Sequence, residues 1–236
     1  MALASAAEPG TSAVLVVCDG VSTAPGSDVA SLTAAAVVRD VLAEAADASP
    51  TPRDVAVWDA SFVQAAQAAV EAIIASGTVP DGGTPPSCTL AAGVVDGPRL
   101  VVGWIGDSRV YWLPDSGEAR RLTVDDSWAQ VMIEAGGAPE EAENSPNAHA
   151  ITRWLGPDDS DHEPRRALFE PDGPGWILVC TDGLWNYASD PQVMAGVLRT
   201  AVNDVGPDPS DLAARLVGWA NAQGGHDNIT AAVARL

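Results

Sequence analysis

Four short segments each place an aspartate at or beside the end of an apolar, strand-like run. They are Val16-Val17-Cys18-Asp19-Gly20, Ile105-Gly106-Asp107-Ser108-Arg109, Cys180-Thr181-Asp182-Gly183-Leu184-Trp185 and His226-Asp227-Asn228-Ile229-Thr230. One carboxylate at a strand end costs little. Several together cost a great deal, since two unit charges about 4 Å apart repel by roughly 4 kcal/mol at an effective dielectric near 20. A fold that gathers Asp19, Asp107, Asp182 and Asp227 therefore needs a compensating cation. Ligands that are all oxygen suit a hard divalent ion, Mg²⁺ or Mn²⁺. A metal-centred hydrolase is the first hypothesis.

Each segment also has a plainer reading. Gly106-Asp107-Ser108 and Asp182-Gly183 have the composition of ordinary turns. Asp227-Asn228 reads as a cap on the strand that follows Gly224-Gly225. The ensemble, not any single residue, favours metal. His149 and His226 are candidate ligands, with a surface position as the plainer reading. Arg109 and Arg153 are candidate phosphate contacts, with pairing to nearby acids as the plainer reading. Most of the eight Trp read as core; a platform of Trp104, Trp112, Trp128 and Trp154 beside the site is the bolder alternative.

The elements that must position these residues follow from periodicity and punctuation. Residues 13–18 read as a buried strand. Glu8-Pro9-Gly10 before it is a turn signal, with Met1–Ala4 as the tail of a partner strand. Helical patterns cover 28–47 and 54–75, and 77–86 is a Pro/Gly-rich loop. Strand-like runs follow at 87–95, 99–105 and 109–113, separated by Asp96-Gly97-Pro98 and Asp107-Ser108. The region 124–150 is polar and irregular, with a short helix near 126–135. Strands resume at 164–170 and 175–180, helices at 190–202 and 209–222, and a last strand at 228–234. Short hairpins between the central strands imply antiparallel pairing, hence a layered α+β domain with helices outside and sheets inside.

Length and composition bound the class. The 236 residues are 47% apolar, enough for a substantial core. Formal charge is −20, from 12 basic and 32 acidic residues. That balance, with no basic run, argues against nucleic acid and anionic membrane as partners. Cys18, Cys88 and Cys180 fit neither a zinc site nor a disulfide framework, so buried reduced thiols in a cytoplasmic protein are expected. Cys18 and Cys180 are expected to line the back of the site. No apolar run is long enough for a transmembrane helix, and no signal peptide is evident.

The four aspartate segments, in this order, resemble the motifs of the PPM-type metal-dependent Ser/Thr protein phosphatases, the protein phosphatase 2C family. Ser87-Cys88-Thr89, Leu122–Ser127 and Ile151–Gly156 resemble three further family segments. The match runs from about residue 13 to 235. The resemblance implies a four-layer αββα sandwich of two antiparallel sheets flanked by helices, with metals between the sheets at one end. It implies that Asp19 bridges two metals, that the Gly20 carbonyl binds one of them, and that Asp182 and Asp227 hold the first. Asp107 would help hold a weaker third ion. Two Mn²⁺ or Mg²⁺ ions are the implied cofactors, and 124–150 is the implied flap. The implied activity is hydrolysis of phosphoserine and phosphothreonine in proteins by a metal-activated water, with no phosphoenzyme. The implied partners are phosphorylated proteins, and a cytoplasmic monomer is expected. Two alternatives stand beside this: a phosphatase-like regulatory binding module with little or no activity, and a phosphohydrolase of small molecules.

Two departures from the family pattern bear on activity. Family members open with an R-x-x-N-E/Q-D segment whose Arg holds phosphate and whose acid helps bind the second metal. Nothing in Met1–Val17 matches it, so residues 1–236 read as a single phosphatase domain, N-terminally incomplete. D-G-H-G-G-like members place a His after the first Gly, where this chain has Val21, and Val cannot donate a proton.

Overall fold

The computed structural model describes residues 2–6, 12–21, 24–47, 52–76, 83–143 and 145–236. In chain order the elements begin with β1 (Ala2–Ala6), β2 (Ser12–Val17), α1 (Ser27–Asp47) and α2 (Val55–Ala75). Next come β3 (Leu90–Asp96), β4 (Arg99–Ile105), β5 (Arg109–Pro114), β6 (Arg120–Arg121), α3 (Trp128–Glu134) and α4 (Pro139–Glu143). The chain continues through β7 (Arg165–Phe169), β8 (Gly175–Cys180), α5 (Asp182–Trp185), α6 (Pro191–Val205), α7 (Pro209–Gln223) and β9 (Ala231–Arg235). The strands make two sheets, ordered β1-β2-β3-β4-β7 and β6-β5-β8-β9. Every pairing within them is antiparallel. The expected turn at Glu8-Pro9-Gly10 lies outside the described residues.

The layering follows from side-chain alternation along the strands. In β2, Val14 and Val16 face α1 and α2, where they meet Ala34, Leu42 and Phe62. Leu15 and Val17 face the other way and pack with Trp104, Trp112, Ile177 and Val179 between the sheets. Both faces are covered, so both sets are apolar and the strand reads as an unbroken hydrophobic run. A third cluster, with Tyr111, Leu178, Leu198 and Leu216, seals the second sheet under α6 and α7. The result is the four-layer αββα sandwich.

Helix starts are set by aspartates. Asp54, Asp190 and Asp208 each accept a hydrogen bond from a first-turn amide, and Pro follows the last two at the first helical position. Asp96 is more than the turn residue its sequence context suggests. It is fully buried and accepts from Arg53 N and Nη1 at 2.8 Å each, from Trp58 Nε1 at 2.9 Å and from Arg99 Nη2 at 3.1 Å. This cluster ties the start of α2 to the β3–β4 hairpin.

The segment 124–150 folds over the β4–β5 turn around a small core of Ala129, Ala142 and Ala148. Its anchor is the buried carboxylate of Asp126, which accepts from Gly106 N at 3.0 Å and Arg165 Nε at 2.7 Å. Ser127 caps α3 by accepting from Gln130 N.

Candidate metal centre

Strand register brings the four aspartates to one end of the sandwich. In the first sheet Val17 pairs with Ala91, and Leu90 pairs with Ile105. The end of β2 and the end of β4 therefore lie together, carrying Asp19 and Asp107 just beyond them. In the second sheet Cys180 pairs with both Arg109 and Ala231. The end of β8 thus meets the starts of β5 and β9, with Asp182 and Asp227 beyond them.

Two threonines pin this arrangement. Thr89 Oγ1 accepts from Asp19 N at 3.0 Å and lies 2.7 Å from Ser108 Oγ, joining the end of β2 to the β4–β5 turn. Thr181 Oγ1 donates to Asn228 O at 3.1 Å and accepts from Thr230 N at 3.0 Å, joining the start of α5 to the loop before β9. Between the two sides, Trp185 Nε1 donates to Asp107 O at 2.9 Å. Glycines allow the close approach. A Cβ on Gly183 would collide with Asn228 O, and Gly106 has φ +96° with Thr89 Cγ2 2.8 Å from where a Cβ would sit. Gly20, bridged to Cys88, lies against the start of α1, with Ser27 O 2.6 Å from a Cβ position.

Burial and mutual charge govern the electrostatics of these carboxylates. Asp19 and Asp182 are close enough that each perturbs the other's carboxyl. Burial, then the charges of Asp182 and Asp227, raise the Asp19 carboxyl well above its ordinary range. Burial and the charge of Asp227 raise Asp182. Asp107 is raised to about 8 by burial, then by Asp182, Asp125 and Asp19. Among the described residues the buried Asp182 Oδ1 has no hydrogen-bond partner. Asp227 stands further out, exposed, with its Oδ1 accepting from its own neighbour Asn228 N at 2.7 Å. Among the described residues no three His, Cys, Asp or Glu side chains close around one point. The structure therefore places Asp182 and Asp227 within the field of Asp19, and Asp107 within that of Asp19 and Asp182.

The donor chemistry fits a hard divalent cation. The residues are carboxylates, one buried oxygen lacks a partner among the described residues, and the mutual charge that raises these carboxyls is what added positive charge would relieve. The residues that would hold such an ion are Asp19, Asp182 and Asp227, with Gly20 and Asp107 alongside.

Neither candidate phosphate-binding arginine is free. Arg109 is buried, holds Asp125 through Nε (3.0 Å) and Nη2 (2.6 Å), and stacks 3.4 Å above the Trp185 ring. Arg153 pairs with Asp126 at 3.4 Å and Asp161 at 3.0 Å. The tryptophan platform is corrected, because Trp104 and Trp112 are buried in the core between the sheets. Cys18, Cys88 and Cys180 are buried thiols in no disulfide among the described residues, as expected. His226 is exposed, and its N–H donates to Tyr187 Oη.

A family model described as protein phosphatase 2C matches residues 2–220. The chain belongs to the protein phosphatase 2C family. It is 35% identical over 147 residues to the serine/threonine protein phosphatase PstP of Mycobacterium tuberculosis, covering 62% of this chain and 27% of that protein. The chain thus spans about a quarter of that relative's length. It is 27% identical over 219 residues to the serine/threonine phosphatase stp of Listeria welshimeri, covering 92% of this chain and 82% of that one. Among solved structures, Mycobacterium tuberculosis PstP/Ppp superposes with a TM-score of 0.73 at 28% identity, covering 99% of this chain and 95% of that one. The catalytic domain of PstP in complex with two manganese ions gives a TM-score of 0.69 at 28% identity, with the same coverage. No described helix of this chain is long and apolar enough to cross a membrane.

Proposed function

We propose that this chain is a Mn²⁺- or Mg²⁺-dependent phosphatase that hydrolyses phosphoserine and phosphothreonine in proteins. The observation that carries the reading is the gathering of Asp19, Asp182 and Asp227, whose burial and mutual charge raise the first two carboxyls, beside a buried Asp182 Oδ1 with no partner among the described residues. The manganese complex of PstP supports it, as do the phosphatase names of the relatives. The binding-module alternative has no comparable support.

The residues divide the work by position. Asp19, with the Gly20 carbonyl, Asp182 and Asp227 would hold the cations, two of them by analogy with that complex. Asp107 would serve a weaker third. When bound, such ions supply charge neutralisation at phosphorus and activation of water. Thr89 and Thr181 hold the backbones that carry Asp19 and Asp182. Arg109 acts behind the site, stacked on Trp185, whose Nε1 fixes the Asp107 carbonyl. A monomeric state and a cytoplasmic setting complete the proposal.

The test is Mn²⁺-dependent phosphate release from a phosphothreonine peptide, with calorimetric Mn²⁺ titration of the same samples. Asp182→Asn should weaken Mn²⁺ binding at least tenfold and abolish turnover. Equal affinity in the variant would refute the ligand assignment.

A further inference from the structure

Hydrolysis of a phosphoserine or phosphothreonine ester ends with a proton on a strongly basic departing oxygen. A positioned side-chain acid contributes about 10²–10⁴ to the rate of such a step. Most donors near the carboxylates are committed elsewhere. Arg109 is spent on Asp125 and Tyr111, and Arg153 on Asp126, Asp161 and the Glu163 carbonyl. Trp185 Nε1 is on Asp107 O, Tyr111 Oη on Ser189 O, and His162 Nε2 is 2.8 Å from Gly156 O. The Cys180 thiol is sealed in an apolar cluster and pushed up by burial.

His149 differs from all of these. Its backbone is fixed at the end of the flap, because Trp128 N donates to Ala150 O at 2.8 Å and Ala129 N to Ala148 O at 3.2 Å. Its ring lies against Trp185, with centroids 6.2 Å apart and planes tilted by 40°. With Asp107, Ser127 and Asn186 it lines a cavity of about 780 Å³, in whose wall Asp107 is the one site aspartate. Asp125 and Glu143 line the same cavity. His149 is near enough to Asp182 for a positive ring to lower that carboxyl. Among the described residues no hydrogen bond engages the imidazole. The ring is therefore exposed to a ligand in the cavity and backed by an aromatic wall.

We propose that His149 donates the proton to the leaving oxygen of a phosphoserine or phosphothreonine substrate. This deepens the phosphatase reading and rests on it. A water oxygen bonds to phosphorus as the bond from phosphorus to the side-chain oxygen breaks. The departing electron pair takes the ring N–H proton of protonated His149, giving the free serine or threonine. One water proton passes to solvent, the other stays on the product phosphate, and His149 regains its proton from solvent.

The experiment compares leaving groups. p-Nitrophenolate departs without protonation, whereas a serine alkoxide does not. With Mn²⁺ present, His149→Gln should lower kcat on a phosphoserine peptide on the order of 10²-fold. Its loss on p-nitrophenyl phosphate should be at least tenfold smaller. Added imidazole should restore peptide turnover to His149→Ala. Mn²⁺ affinity by calorimetry should match the unaltered chain. Equal losses on both substrates, no loss on the peptide, or weakened Mn²⁺ binding would each overturn the assignment. If the unaltered chain turns over neither substrate, the phosphatase reading itself fails, a result distinct from any of these.

Discussion

Asp19 and Asp107 carry protons at pH values where a solvent-exposed aspartate would not, and this makes a specific claim about pH. Both carboxyls are raised in the folded state, Asp107 to about 8 and Asp19 well above its ordinary 3.8. Between the unfolded and folded values the native state therefore binds more protons than the unfolded chain. Unfolding free energy then falls as pH rises through that window. The metal-free protein should lose thermal stability steadily from about pH 5 to pH 8. With Mn²⁺ the order reverses, because cation binding displaces those protons and strengthens as pH rises. Thermal melts across that range, with and without chelator, check both slopes. A flat metal-free profile would show that the carboxylates do not repel as argued. At the same scale, Asp182→Asn removes one charge of the cluster. The metal-free variant should melt roughly 2–4 °C higher than the unaltered chain, which is what about 1 kcal/mol is worth at this length.

Element boundaries were legible in the sequence where a physical stop was present and obscure where the stop was tertiary. Asp54, Asp190 and Asp208 mark helix starts, and the apolar runs of β2, β4 and β8 are strands as expected. The four-residue helix α5 was missed, since Asp182-Gly183 reads equally as a turn; it is held by Thr181 and Trp185. The two-residue β6 exists only because Tyr111 and Trp112 pair with it. His149 is exposed, as its sequence context suggests, but nothing local reveals that the flap lays its ring against Trp185. Thr89 and Thr181 lay inside recognised motifs, but their role as backbone pins needs both sheets in place. Asp96 read as a turn residue, and its burial under Arg53, Trp58 and Arg99 could not be seen from its neighbours. Burial alone would raise this carboxyl; the hydrogen bonds from Trp58, Arg53 and Arg99 outweigh it and lower it. Its contribution is therefore present above the unfolded value and lost as pH falls through the folded one. Asp96→Ala would strand the buried Arg53 charge, a loss on the order of 3–5 kcal/mol. A drop in Tm on the order of 10 °C is expected. If the melt of Asp96→Ala stays within a degree or two of the unaltered chain, the cluster does not anchor α2.

At the scale of the molecule, the carboxylates come from both sheets. Asp19 and Asp107 follow strands of the first, whereas Asp182 and Asp227 flank strands of the second. Between the sheets at this end Val17, Trp104, Val110 and Val179 pack together, and Trp185 Nε1 donates to Asp107 O. A cation held by Asp19 on one side and Asp182 on the other would cross-link the layers, where without it the same carboxylates push them apart. Binding to the folded state alone stabilises by about 2.7 kcal/mol at a ligand concentration of 100 Kd. For a chain of this length that corresponds to roughly 5–10 °C in Tm. The gain should be cooperative, raising the melting of both sheets together. Hydrogen exchange should slow at Thr89 and Leu90 in the first sheet and at Thr181 and Ala231 in the second. Asp182→Asn should abolish the effect in both sheets. Protection confined to the second sheet would mean that Asp182 and Asp227 hold the ion without Asp19, and the bridging role of Asp19 would have to be abandoned.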